Sequence, residues 1–92
     1  MKLHHAAALA LLDWFLMMPP ANNRGVIDPD ASISKWTIAK SFYSFGECDQ
    51  TDQVTRERLA RIGGVALTPW QIGQRASNAE CVEDDDPRLK HK

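Results

Sequence analysis

Only two cysteines, Cys48 and Cys81, and three histidines occur among 92 residues. The cysteines form no Cys-x-x-Cys pair, and neither is followed by a histidine in an ordered stretch. That argues against a redox motif or a cysteine nucleophile. Two cysteines also cannot close a four-coordinate zinc site without His4, His5 or His91, all in terminal segments. His4 and His5 are neighbours, roughly 100° apart on a helix, so they do not chelate one ion from one face. Charge of one sign is missing as well: 11 Lys and Arg against 12 Asp and Glu leave a net charge of -1. The basic residues are scattered, which excludes a field that gathers nucleic acid. No apolar run reaches the roughly 20 residues that cross a bilayer. No glycine-rich loop cradles phosphate, because Gly63-Gly64 closes a predicted helix instead of opening one. Internal repeats and uniform linkers are absent too, so the length implies one small domain of modest stability.

What the chain does contain begins with an apolar segment. Met1-Lys2 carries one positive charge, His4-His5 follow, and Ala6 to Leu12 are apolar before Asp13. Residues 1–12 therefore read as an abbreviated secretory signal, with the mature chain expected to start close to Asp13. The other readings of the same residues are a buried element or a membrane anchor formed by an uncleaved signal.

Asp13 to Met18 predicts a strand. Trp14, Leu16 and Met18 alternate with Phe15 and Met17, so both faces are apolar, as in a central strand. Pro19-Pro20 ends it. Asn22-Asn23-Arg24-Gly25 and Asp28-Pro29-Asp30 are turn signals, with Pro29 at the second position of a type I turn. Lys35 to Phe42 is a second strand, with Trp36, Ile38 and Phe42 expected on one face. Lys40 spoils that face, so it either snorkels at the sheet edge or marks a bulge.

Ser44-Phe45-Gly46-Glu47 matches a capping box, with the Ser44 hydroxyl on the Glu47 amide and the Glu47 carboxylate on the Ser44 amide. One helix is expected from there to Gly63-Gly64. Its buried stripe is Cys48, Thr55, Leu59 and Ile62, with Tyr43 and Cys48 in the staple positions and Arg56 exposed and unpaired. Val65 to Asn78 predicts no regular element, because Thr68-Pro69-Trp70 and then Gly73 interrupt it, and Trp70 is assigned to the core over an exposed contact role. Ala79 to Glu83 is a short strand with Cys81 inward. Glu83 to Asp86 form a run of four acidic residues. It lacks the alternating spacing and central glycine of a calcium loop, so the run reads as a solvated turn. Asp86 is expected to cap the turn that Pro87 begins.

Trp14-Phe15-Leu16-Met17-Met18-Pro19-Pro20, the strand from Trp36 to Phe42, Cys48, Cys81 and Asp85-Asp86-Pro87-Arg88-Leu89 occur in that order. In this pattern the chain resembles a group of small, mostly exported, uncharacterised bacterial proteins, whose members carry a longer N-terminal signal. The resemblance covers most of the chain after Leu12. It implies export, and it brings no activity and no catalytic residue with it.

The sequence thus predicts an α+β domain over residues 13–92. It consists of about three short antiparallel strands, one helix packed across a face, a Cys48–Cys81 disulfide and a polar C-terminal tail. No catalytic, cofactor-binding or metal-ligating residue stands out. The leading expectation is a non-enzymatic periplasmic or secreted protein with a structural or protein-interaction role and an unidentified protein partner. The alternatives are a cytoplasmic accessory domain with reduced thiols and, behind it, a small enzyme or metal-binding protein.

Overall fold

Three strands, β1 (Trp14–Met18), β2 (Thr37–Phe42) and β3 (Glu80–Glu83), pair antiparallel in the order β2–β1–β3. This computed structural model describes residues 14–62 and 66–90. The signal-like segment, Asp13, Gly63-Gly64 and His91 fall outside them. The expected α+β class and three-stranded antiparallel sheet hold. β1 takes the centre because it alone is apolar on both faces. Leu16 and Met18 enter one buried cluster with Cys48, Ala60, Ile72 and Ala76, while Met17 enters a second with Ile33 and Val82. Ser32 to Trp36 and the C-terminal turn cover that second face, where Phe15, Trp36 and Leu89 pack against Met17.

A bulge resolves the Lys40 conflict. Leu16 lies opposite Lys40 and Met17 opposite Ile38, which leaves Ala39 without a partner in the ladder. The extra residue reverses the side-chain phase along β2. The expected grouping of Trp36, Ile38 and Phe42 is therefore wrong. Phe42 and Ala39 pack on the disulfide side of the sheet, Trp36 packs on the other, and Ile38 is exposed. Lys40 stays exposed, with Nζ 5.4 Å from the Phe42 ring centroid.

The helical layer is richer than one helix. α1 (Phe45–Asp49) and α2 (Gln53–Leu59) replace the single expected helix. Ser44 caps α1 as expected, accepting from the Glu47 amide at 3.2 Å, but the Glu47 carboxylate reaches the Tyr43 amide rather than that of Ser44. The break falls where Asp49, Thr51 and Asp52 cluster. These side chains compete with helical backbone bonding, and Asp52 restarts the helix by accepting from the Thr55 amide at 2.8 Å. The bonds from Thr55 hold the Asp52 carboxyl below the usual carboxylate range. Arg56, expected to be exposed and unpaired, is instead half-buried. Its Nε donates to Thr51 O at 2.8 Å and its Nη2 to Asp49 O at 3.4 Å, closing the joint between the two helices. Because the break rotates the second half of the stripe, Ala60 is buried, Leu59 is partly buried and Ile62 is exposed. Tyr43 is exposed too, outside the staple role.

The disulfide is formed: Cys48 and Cys81 have an S–S distance of 2.11 Å and a Cα–Cα distance of 6.1 Å. It ties α1 to edge strand β3 across the buried cluster. At the C-terminus, α4 (Pro87–Lys90) follows Asp86, whose Oδ1 accepts from the Arg88 amide at 2.9 Å as expected. Asp84 and Asp85 are exposed.

Candidate functional site

Residues 66–78, read as irregular from sequence, contain the longest helix among the described residues, α3 (Pro69–Ser77). Thr68-Pro69-Trp70, expected to interrupt any regular element, starts it. Thr68 accepts from the Gln71 amide at 3.2 Å, and the Gln71 side chain accepts from the Thr68 amide at 2.8 Å. Pro69 occupies the first helical position, where its missing N–H leaves no bond unmade. A Thr-Pro-x-Gln sequence is a legible capping box, and that signal was available in the chain.

A second restraint comes from the turn at Asn22 to Gly25. Asn22 Oδ1 accepts from the amides of Arg24 at 2.8 Å and Val26 at 3.0 Å, and Gly25 adopts φ +79°. A Cβ on Gly25 would lie 2.5 Å from Gln71 Nε2, so this turn sits directly against the first turn of α3 and only glycine fits.

The third restraint is Arg75, on the core face of α3 beside Ile72 and Ala76. Its side chain is 4% exposed. Nε donates to Pro19 O at 2.7 Å, Nη1 to Ala60 O at 2.7 Å and to Ile62 O, and Nη2 to Thr37 Oγ1 at 3.3 Å. One guanidinium thereby joins the end of β1, the exit of α2, the start of β2 and α3. Among the described residues it meets no carboxylate. Burial away from water lowers its pKa, the direction expected for a desolvated cation. Little in the local pattern points to this role, since an arginine on an apolar stripe usually snorkels outward.

These restraints hold the opposite side of α3 in solvent. Trp70, expected in the core, is 74% exposed, the largest value for a large hydrophobic residue among the described residues. Position 70 lies in the first turn, on the side of the helix away from Ile72, Arg75 and Ala76, so the capped start leaves it no route inward. Beside Trp70 runs an open groove of about 500 Å³ between α2 and α3. Gln53 and Glu57 form its α2 wall, and Trp70, Gly73 and Gln74 form the other. Gln53 Nε2 donates to Glu57 Oε2 at 3.0 Å. Gly73 opens the floor: a Cβ there would stand 3.8 Å from Glu57 Oε2.

The remaining chemistry is sparse. Arg88 Nη2 pairs with Glu80 and Asp86, each at 3.0 Å, on the surface. Cys48 and Cys81 are consumed in the disulfide, and there is no free cysteine among the described residues. Among the described residues, no group of three or more His, Cys, Asp and Glu side chains gathers as a metal site. Compared with known proteins, the chain matches no protein-family profile, no curated protein and no solved structure.

Proposed function

We propose that this chain is a non-enzymatic, exported interaction domain that engages another protein through the Trp70 face of α3. The observation that carries this reading is Trp70 itself, 74% exposed on a helix fixed by a capping box, a glycine contact and a buried arginine. A rigidly displayed tryptophan contributes contact area with little ordering entropy, which is why tryptophan dominates binding hot spots. The disulfide supports a periplasmic or secreted location, because such bonds persist in oxidising compartments. Among the described residues no helix is long and apolar enough to cross a membrane.

The test is paired capture. Tagged wild-type protein and Trp70→Ala are cross-linked in the native envelope and recovered side by side. The expected outcome is a protein recovered with wild type and lost with Trp70→Ala, while the two chains melt within about 0.5 kcal/mol of each other. Identical recoveries from the two chains would remove the Trp70 face from the function. Alkylatable thiols on both cysteines in vivo would point to the cytoplasmic alternative.

A further inference from the structure

We infer that the groove between α2 and α3 takes a cationic side chain, arginine or lysine, from an extended segment of the partner protein. This rests on the proposed interaction role and names the chemistry recognised there. The groove has one charged residue in its lining, Glu57, and neither lysine nor arginine. The Glu57 carboxylate accepts from Gln53 and forms no ion pair among the described residues. Trp70 lines the α3 wall of the same groove, and the faces of an indole carry the negative part of the ring quadrupole. A cation lying between them gains from both: attraction over the indole and a charge-assisted hydrogen bond to Glu57. The other lining groups suit the rest of such a segment. The Gln53 and Gln74 carboxamides can bond a passing backbone, and Gly73 lets that backbone approach the helix closely. An anionic ligand has no cation to meet in this groove. A neutral peptide would leave Glu57 uncompensated.

Short acetylated and amidated peptides that differ only in carrying arginine or glutamine at alternate positions are the probes. They are titrated into the full oxidised chain, and the Trp70 indole and Gly73 amide signals are followed by NMR. The arginine peptide is expected to shift both signals saturably, and its binding should weaken as salt rises. Glu57→Gln should lower that affinity by up to about fivefold, the upper end for a solvent-exposed pair. Trp70→Leu should lower it roughly two- to fivefold, the range for a cation over an exposed ring. Both variants keep the disulfide and the α3 cap, and unchanged spectra elsewhere in the chain verify their fold. Equal shifts with the glutamine peptide would overturn the cationic occupant while leaving the interaction reading intact. Silence towards both peptides, or saturable and salt-independent shifts with a chitin oligosaccharide instead, would also overturn it. The envelope capture with Trp70→Ala then decides the interaction reading on separate grounds.

Discussion

Arg75 and Arg88 put the same functional group to opposite use. Arg75 is 4% exposed and spends its donors on neutral oxygens, three backbone carbonyls and one hydroxyl, drawn from four parts of the fold. The Arg88 side chain is 50% exposed and faces two carboxylates from its own end of the chain. Burial lowers the Arg75 pKa, whereas the bonds from Asp86 and then Glu80 raise that of Arg88. A tally of ion pairs would rank Arg88 first. The energetics reverse that ranking. Exposed pairs contribute roughly 0–1 kcal/mol, because water and salt compete for both partners. A buried donor that satisfies several otherwise orphaned carbonyls is a different case, since each carbonyl left unpaired costs about 1–3 kcal/mol.

Removing the buried cation should therefore have the largest effect. Arg75→Ala is expected to destabilise the domain by about 3–5 kcal/mol, as carbonyls of Pro19, Ala60 and Ile62 lose their donor together. Arg75→Lys retains the charge but not the planar fork, and should recover about half of that loss. Denaturant melts of the two variants against wild type provide the measurement. A neutral Arg75→Lys would mean that the charge matters and the geometry does not.

The disulfide is the other long-range joint, and it sharpens the comparison by acting without charge. It spans 33 sequence positions, for which the chain-entropy model gives about 3–4 kcal/mol. Reduction, or Cys48→Ala with Cys81→Ala, should lower stability by about that amount at every pH and salt concentration. Mass spectrometry of protein recovered from the periplasm or medium should show both thiols oxidised. Two alkylatable thiols in exported protein would contradict the bridge.

What the sequence disclosed follows from how local each signal is. Strand β1, the Ser44 hydroxyl cap, the turns at Asn22 and Asp28 and the Asp86 cap all depend on neighbours within a few positions, and each forms as expected, save that Glu47 returns to the Tyr43 amide instead of that of Ser44. The bridge needed only two cysteines in a chain too small to build a large core. The bulge at Ala39 was legible as a conflict at Lys40, but its consequence for Trp36 and Ile38 required the register against β1. Pro69 in isolation signals a break, but its position after Thr68 makes it the start of α3, and a helix that starts there turns Trp70 outward. Arg75 could not be read at all: its partners are Pro19, Thr37, Ala60 and Ile62, 56 positions away at the farthest. The groove, which needs the packing of α2 against α3, was hidden for the same reason.

Arg56 lies between the two extremes. It is half-buried and donates to the carbonyls of Thr51 and Asp49 within its own segment. Arg56→Ala should cost about 1 kcal/mol, since these carbonyls remain near water and recover part of the loss. Leu59→Ala, in the same helix and partly buried against the core, should cost about 2 kcal/mol, at the low end for a core leucine. An Arg56→Ala variant as damaged as Arg75→Ala would show that the number of carbonyls, and not their burial, sets the scale.

The smallest effect belongs to the exposed end. Asp86 accepts from the Arg88 side chain and backbone amide, and these bonds hold its carboxyl below the usual carboxylate range. A depressed folded-state pKa means that the unfolded chain binds the proton more readily, so the stabilisation is present above the unfolded value of about 3.9 and is lost as pH falls through the lower, folded one. Arg88 stays protonated across that window and contributes no pH dependence of its own. Asp86→Asn should thus lower the melting temperature slightly at neutral pH and leave it unchanged once the acid limb is passed. Asp84→Asn and Asp85→Asn, at exposed neighbours in the same acidic run, should be neutral or slightly stabilising at neutral pH through relieved repulsion. The pH series also tests the contrast between the arginines, because Arg75 bonds only neutral oxygens. Arg75→Lys should differ from wild type by the same amount on both sides of pH 4, whereas the difference at Asp86 should close. If the Arg75→Lys difference also closed in acid, a carboxylate would have to support the buried joint, and the assignment of Arg75 to neutral oxygens alone would fail.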